Sequence, residues 1–89
     1  MKTVTLDIIN EKGLHARASA RFVETVERFD ATARVTHEGE TVSGDSIMGL
    51  LMLAACKGSA ITVETAGPEA DALAEALSDL VADRFGEGK

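Results

Sequence analysis

The residues with the most distinctive chemistry are His15 and Arg17, which lie two positions apart near the start of the chain. A neutral imidazole is a competent nucleophile toward phosphorus near pH 7, and a guanidinium donates paired hydrogen bonds to phosphate oxygens. An alternating segment at residues 4–8 precedes them, and a helical pattern begins at Ala16. His15 is therefore predicted at a helix N-terminus, where backbone N–H groups and the helix dipole attract anions. The pattern predicts that His15 accepts a phosphoryl group while Arg17 stabilises the charge of the transferring group.

A histidine alone does not establish this chemistry, because a lone histidine in a small protein is more often a surface residue without a role. The alternative is a small regulatory or ligand-binding domain in which His15 does no chemistry. Gly13, which permits a sharp turn, and Leu14, which supplies an apolar anchor, favour phosphoryl transfer. An enzyme is disfavoured because no second acid or base is poised near His15 in the sequence and no cofactor motif occurs. No metal-ligand spacing and no dinucleotide-binding motif occurs, so we expect no metal and no cofactor.

Ser46 is the second candidate site, since it precedes a short apolar helix predicted over residues 47–55. Serine suits the N-cap position because its side chain accepts a hydrogen bond from a free backbone N–H. Phosphorylation there would add a charge of about −1.5 to −2. Asp45 already places a negative charge next to it. Ser46 is therefore both a predicted cap and a candidate site of regulatory phosphorylation.

The predicted second helix is too apolar for a domain of this size to bury completely. Leu50 and Leu53 are expected in the core, whereas residues 47, 48 and 51 mark a second face. Exposed methionine-rich surfaces are adaptable docking sites. We expect a partner-binding face with these members: Ala16, Ala20, Ile47, Met48 and Leu51.

The elements that must position these residues follow from hydrophobic periodicity. The order is strand, helix, strand, strand, helix, strand, helix, which predicts a two-layer α+β domain with three helices on one face. The first helix is expected from Ala16 to about Phe29. His37, beside a predicted hairpin turn, is expected to be exposed and inert, and Cys56 to be a small packed residue. The tail at residues 86–89 is expected to be frayed.

Composition limits the class of protein. The 89 residues carry 15 acidic and 9 basic side chains, a formal charge of −6, and neither Trp nor Tyr. We expect one domain over residues 1–89, with no affinity for nucleic acid or for an anionic membrane surface. The start of the chain lacks the apolar region of a signal peptide, so a cytoplasmic protein is expected.

Two segments resemble the HPr family, the histidine-containing phosphocarriers of the bacterial phosphoenolpyruvate-dependent phosphotransferase system. Residues 13–17, Gly-Leu-His-Ala-Arg, are similar to its active-site signature, and residues 46–50, Ser-Ile-Met-Gly-Leu, to its regulatory serine segment. The turn at residues 57–58 also fits, and the likeness covers nearly the whole chain. It implies an open-faced sandwich with antiparallel sheet order 1-4-2-3. Two positions depart from the pattern: Ala18 stands where many members have proline, and Asp45 where many have lysine.

The resemblance also implies a function. Nδ1 of His15 would accept a phosphoryl group from phospho-enzyme I and pass it to enzyme IIA-type acceptors, so that the protein is a substrate of phosphotransferases and no enzyme itself. Ser46 would be the target of an HPr serine kinase/phosphorylase. The carrier is expected to be a monomer that acts in sugar transport or in the regulation of nitrogen or carbon use.

Overall fold

The elements follow one another in the order that the sequence pattern predicts. The structure, a computed structural model, describes residues 1–88. Its strands and helices are β1 (Lys2–Asp7), α1 (Ala16–Glu27), β2 (Thr32–His37), β3 (Glu40–Ser43), α2 (Ile47–Leu53), β4 (Ala60–Ala66) and α3 (Ala70–Ala82). A short 3₁₀ segment over Arg84–Gly86, here named the C-terminal turn, follows α3.

The four strands form one antiparallel sheet in the order β1-β4-β2-β3. Val63 of β4 pairs with Val4 on one side and with Val35 on the other. β2 and β3 form a hairpin whose turn residues, Glu38 and Gly39, have φ values of 49° and 84°. Positive φ at both positions is typical of the turn that matches the right-handed twist of two paired strands. The predicted α+β open-faced sandwich is confirmed.

The core lies between one face of the sheet and the three helices. The strands contribute alternate residues to it, because successive side chains of a strand point to opposite faces. The helices contribute an apolar stripe each, as their periodicity predicts. The main core side chains are Leu6, Phe22, Val26, Ala33, Val35, Leu50, Leu53, Ile61, Val63, Leu73, Leu77 and Val81.

The second helix is shorter than predicted, since it ends at Leu53 and not at residue 55. Ala54 adopts a left-handed conformation with φ of 52°, and its N–H bonds to the carbonyl of Leu51 at 3.1 Å. No glycine or proline marks this end, so local sequence signals do not reveal it. The early end leaves Cys56 in a loop and exposed, which makes the prediction of a packed Cys56 wrong.

The prediction that His37 is exposed is also wrong. His37 continues the inward-facing positions of β2 and is buried, with 9% of its surface exposed. Its Nδ1 lies 2.9 Å from the carbonyl oxygen of Leu53. A carbonyl at the last turn of a helix has no partner within the helix. His37 therefore ties the end of α2 to the sheet.

The described residues bear on two further features, a membrane-spanning helix and a metal-binding cluster. Within residues 1–88, none of the helices has the length and apolar character needed to cross a bilayer. Across the same residues, no cluster of three or more His, Cys, Asp or Glu side chains is arranged to hold a metal ion.

Candidate functional site

A tight loop between β1 and α1 fixes the position of His15. Gly13 has φ of +62°, and a Cβ atom added there would lie 2.4 Å from the carbonyl oxygen of Ala55. Only glycine fits such an approach. The next residue, Leu14, donates its N–H to that same oxygen at 2.9 Å and buries its side chain in the core. These contacts join the entrance of α1 to the segment after α2.

His15 is the N-cap residue of α1, as predicted. Its backbone is extended, with φ of −80° and ψ of −177°, and its carbonyl accepts the N–H of Ser19 at 2.9 Å. The imidazole makes no capping hydrogen bond. The first backbone N–H groups of a helix have no partner within the helix and carry the positive end of its dipole. The ring, with 27% of its surface exposed, therefore stands beside a site suited to an anion.

The imidazole is held by a side chain from the other end of the protein. Nε2 of His15 contacts a carboxylate oxygen of Glu87. The other carboxylate oxygen accepts a hydrogen bond from Nδ2 of Asn10 at 2.9 Å. Nδ2 of Asn10 also bonds to the carbonyl of Gly13 at 2.9 Å, and the Asn10 side chain is completely buried. The side-chain amide of Asn10 therefore binds both the loop before His15 and the carboxylate that contacts the His15 ring.

The surroundings of Glu87 keep its carboxylate ionised. Burial by itself would raise the pKa of Glu87, since its side chain is only 14% exposed. The hydrogen bonds from Asn10 and His15 and the charges of His15 and Lys12 outweigh that effect. The pKa of Glu87 consequently lies below its ordinary value of 4.5.

Arg17 and His15 border the same depression, which has a volume of about 580 Å³. Arg17 is exposed, and it projects from the first turn of α1. The charged lining is mixed, with Lys12 and Arg17 opposed by Glu11 and Glu87. Side chains of both charge signs therefore surround the His15 ring.

Glu87 and Asn10 are the site residues that the sequence does not reveal. The expectation of a frayed tail is wrong for residues 86 and 87, and residue 89 lies outside the described residues. Phe85 is completely buried and anchors the C-terminal turn. A single large apolar residue in an otherwise polar tail is the one signal that could have indicated this anchor.

The C-terminal turn has an unusual backbone. Arg84, Phe85 and Gly86 have φ values of 53°, 55° and 76°. Residues other than glycine seldom adopt this left-handed region, because their Cβ crowds the backbone. A Cβ on Gly86 would lie 3.3 Å from a guanidinium nitrogen of Arg21, so Arg21 packs directly over the turn. The turn directs the chain back toward α1 and delivers Glu87 to His15.

The structure places Ser46 at the N-cap of α2, as predicted. Its Oγ accepts the N–H of Gly49 at 3.0 Å. The adjacent Asp45 accepts a hydrogen bond from the hydroxyl of Ser43 at 2.5 Å. Ser46 itself is half-buried.

The five predicted docking residues lie on two helices, α1 and α2, that pack against each other. Ile47 and Met48 are 41% and 68% exposed, and Ala16 is exposed as well. Ala20 and Leu51 are half-buried. The expectation that Leu50 and Leu53 belong to the core is confirmed. The structure therefore leaves an apolar surface on α2 next to the helix that begins at His15.

Comparison with known proteins agrees with this geometry. The family model described as "PTS HPr component phosphorylation site" matches residues 2–83. The phosphocarrier protein HPr of Neisseria meningitidis serogroup A is 47% identical over 85 residues, which is 96% of each chain. The phosphocarrier protein HPr of Pseudomonas aeruginosa is 42% identical over 90 residues, covering 100% of both.

Solved structures are similar as well. HPr-C-His from Thermoanaerobacter tengcongensis aligns with a TM-score of 0.93 and 37% identity over 98% of both chains. HPr from Bacillus anthracis aligns with a TM-score of 0.83 and 37% identity over 88% of this chain and 93% of the other. The relatives are named as phosphocarriers, which are not enzymes. With this coverage of sequence and fold, the chain belongs to the HPr family of phosphocarrier proteins of the phosphotransferase system.

Proposed function

We propose that this phosphocarrier accepts a phosphoryl group on Nδ1 of His15 from phospho-enzyme I and donates it to an enzyme IIA-type acceptor. The observation that carries the proposal is the position of His15 at the start of α1, with its Nε2 bound to Glu87. Within residues 1–88 the ring has no other hydrogen bond, so Nδ1 is available to a phosphoryl group.

The chemistry requires no metal. The Nδ1 lone pair forms a bond to phosphorus, while the bond from phosphorus to the donor atom breaks and its electron pair returns to the donor. The N–H groups of the first turn of α1 and the guanidinium of Arg17 are suited to hold the phosphoryl oxygens. In the second transfer an acceptor atom forms the bond to phosphorus, the phosphorus–nitrogen bond breaks, and its electron pair returns to Nδ1.

Partner proteins are proposed to dock on the face formed by Ala16, Ala20, Ile47, Met48 and Leu51. An apolar surface beside the reacting group excludes water from the contact and lets two active sites approach closely. Ser46 lies at the N-terminus of the helix that carries most of this face. We therefore propose that a serine kinase/phosphorylase regulates transfer by phosphorylating Ser46. We also propose that the carrier acts as a monomer.

Phosphorylation of wild type and His15→Ala by enzyme I and phosphoenolpyruvate tests the proposal. A phosphorus–nitrogen bond is labile in acid and stable in base, so wild type should acquire an acid-labile phosphoryl group and the variant none. His37 remains in the variant and serves as an internal control for transfer to another histidine. Undiminished acid-labile phosphate on His15→Ala would contradict the proposal.

A further inference from the structure

We infer that Glu87 is a positioning residue for His15, because its carboxylate accepts the Nε2 proton and thereby keeps the lone pair on Nδ1. The inference rests on the proposed function and names the group that prepares its nucleophile. Neutral imidazole carries one proton, and the nitrogen that carries it cannot attack phosphorus. A carboxylate can only accept a hydrogen bond, so contact with Glu87 selects the tautomer with the proton on Nε2.

The carboxylate is itself held in place from two directions. Asn10, completely buried, donates to the oxygen that His15 does not contact, at 2.9 Å. From the other side, the buried Phe85 anchors the C-terminal turn, and Arg21 packs over Gly86. An acceptor that is fixed before the reaction needs no reorganisation during it. This support distinguishes Glu87 from an acidic residue on a free tail.

Glu87 also balances the charge of the transfer step. When Nδ1 bonds to phosphorus, the ring retains its Nε2 proton and gains a positive charge, while the donor atom recovers an electron pair. The ionised carboxylate beside Nε2 stabilises that charge from the side of the ring opposite the incoming group. The other charged groups that line the depression are Glu11, Lys12 and Arg17. Of these, Lys12 helps to keep Glu87 ionised.

The test compares wild type, Glu87→Gln and a matched control, Glu75→Gln. Glu75 is exposed on α3, so its replacement makes the same change in net charge away from His15. In wild type with neutral imidazole, nitrogen-15 NMR should show His15 Nε2 protonated and Nδ1 unprotonated. The side-chain amide that Glu87→Gln introduces can donate to Nε2, which favours the opposite tautomer, so the two ring-nitrogen resonances should move toward each other.

The second readout is the rate at which each protein takes phosphate from phospho-enzyme I. We expect a loss of about tenfold for Glu87→Gln, the lower end of the range seen when the hydrogen-bonded partner of a metal-binding histidine is replaced. Glu75→Gln should match wild type in rate and in ring-nitrogen shifts. Thermal melts of all three proteins show whether the fold is retained.

The two ideas fail in different ways. His15 ring shifts in Glu87→Gln that match those of wild type would overturn the inference about Glu87, whatever the transfer rate. A wild-type protein that shows the Nε2 tautomer, and loses it in Glu87→Gln, would support the inference even if phospho-enzyme I transferred nothing. The absence of transfer from phospho-enzyme I to wild type would instead refute the proposed function.

Discussion

The proposed role of Arg17 is to bind the phosphoryl group that a partner protein brings to His15. Arg17 is exposed at the edge of the depression next to His15, and within residues 1–88 no hydrogen bond or ion pair holds its guanidinium. Arg17→Ala should therefore retain the melting temperature of wild type. Transfer should slow, since one lost charged donor raises the barrier by roughly 2–4 kcal/mol.

Rapid-quench measurement of transfer from enzyme I and to the acceptor tests this expectation. Arg34→Ala is the matched control. Arg34 is an exposed residue of β2, so this substitution removes the same charge from the sheet. Equal rates for wild type and Arg17→Ala in both directions would rule out the assigned role.

Single residues also show where sequence reasoning stops. His15 and Arg17 could be found because a glycine, a histidine and an arginine, residue types suited to a turn, a nucleophile and a phosphate contact, lie within five positions. Glu87 could not, because 72 positions separate it from His15, and the contact exists only when the chain is folded. Asn10 could not be found either, since its hydrogen bond to Glu87 joins it to the same C-terminal segment.

Among the elements, α2 carries the proposed regulatory site, Ser46, at its N-cap. Ser46→Asp keeps a side chain that can cap the helix and places a negative charge at the positive end of its dipole. The variant should melt no lower than wild type. It should need a higher concentration to saturate enzyme I if the partner surface is acidic, because the added charge lies beside the contact.

Melting temperature and the Michaelis constant with enzyme I are the two measurements. Ala72→Asp, on the exposed surface of α3, is the control for the same change in charge away from α2. The penalty should shrink in high salt, which screens exposed charges. Equal saturation of wild type and Ser46→Asp at low salt would count against this form of regulation.

The apolar surface of α2 makes a separate prediction. Met48 is 68% exposed, so Met48→Asp should leave the fold intact and weaken binding to enzyme I by removing contact area and burying a charge. NMR titration of wild type with enzyme I should perturb α2 and the start of α1. Perturbations confined to the open face of the sheet would show that the docking face is misplaced.

The bounds of α2 show that a local sequence pattern can predict where a helix begins without predicting where it ends. The start of α2 was predictable from Ser46, a cap whose effect is local. Its end was not, because Ala54 is a residue that favours helix, and what lies beyond Leu53 is set by tertiary contacts. His37 binds the last carbonyl, and Ala55 turns inward to meet Gly13 and Leu14. The alternation of the strands and the stripe of α1 were predictable because they repeat.

For the molecule as a whole, the contact between its two ends predicts a dependence of stability on pH. The pKa of Glu87 is lower in the folded state than its ordinary value of 4.5, so the ionised carboxylate favours folding. This contribution is fully present above about that value and is lost as the pH falls through the lower, folded-state pKa. The stability advantage of wild type over Glu87→Gln should accordingly decline below about pH 4.5.

Urea unfolding of both proteins between neutral and acidic pH measures the difference directly. Glu75→Gln provides the reference for losing an exposed carboxylate. A difference between wild type and Glu87→Gln that stays constant through the acid range would show that the ionised carboxylate adds nothing to folding.

Gly13 has a consequence for how substitution libraries of this protein should be interpreted. Any side chain there would overlap the carbonyl of Ala55 and would also need a left-handed backbone, so almost every replacement should be lost from a selection for active carrier. The losses would resemble those at His15, although Gly13 has no group that could touch a phosphate. Screening the same library for folded protein separates the two positions: depletion at Gly13 should persist, whereas His15 variants should return.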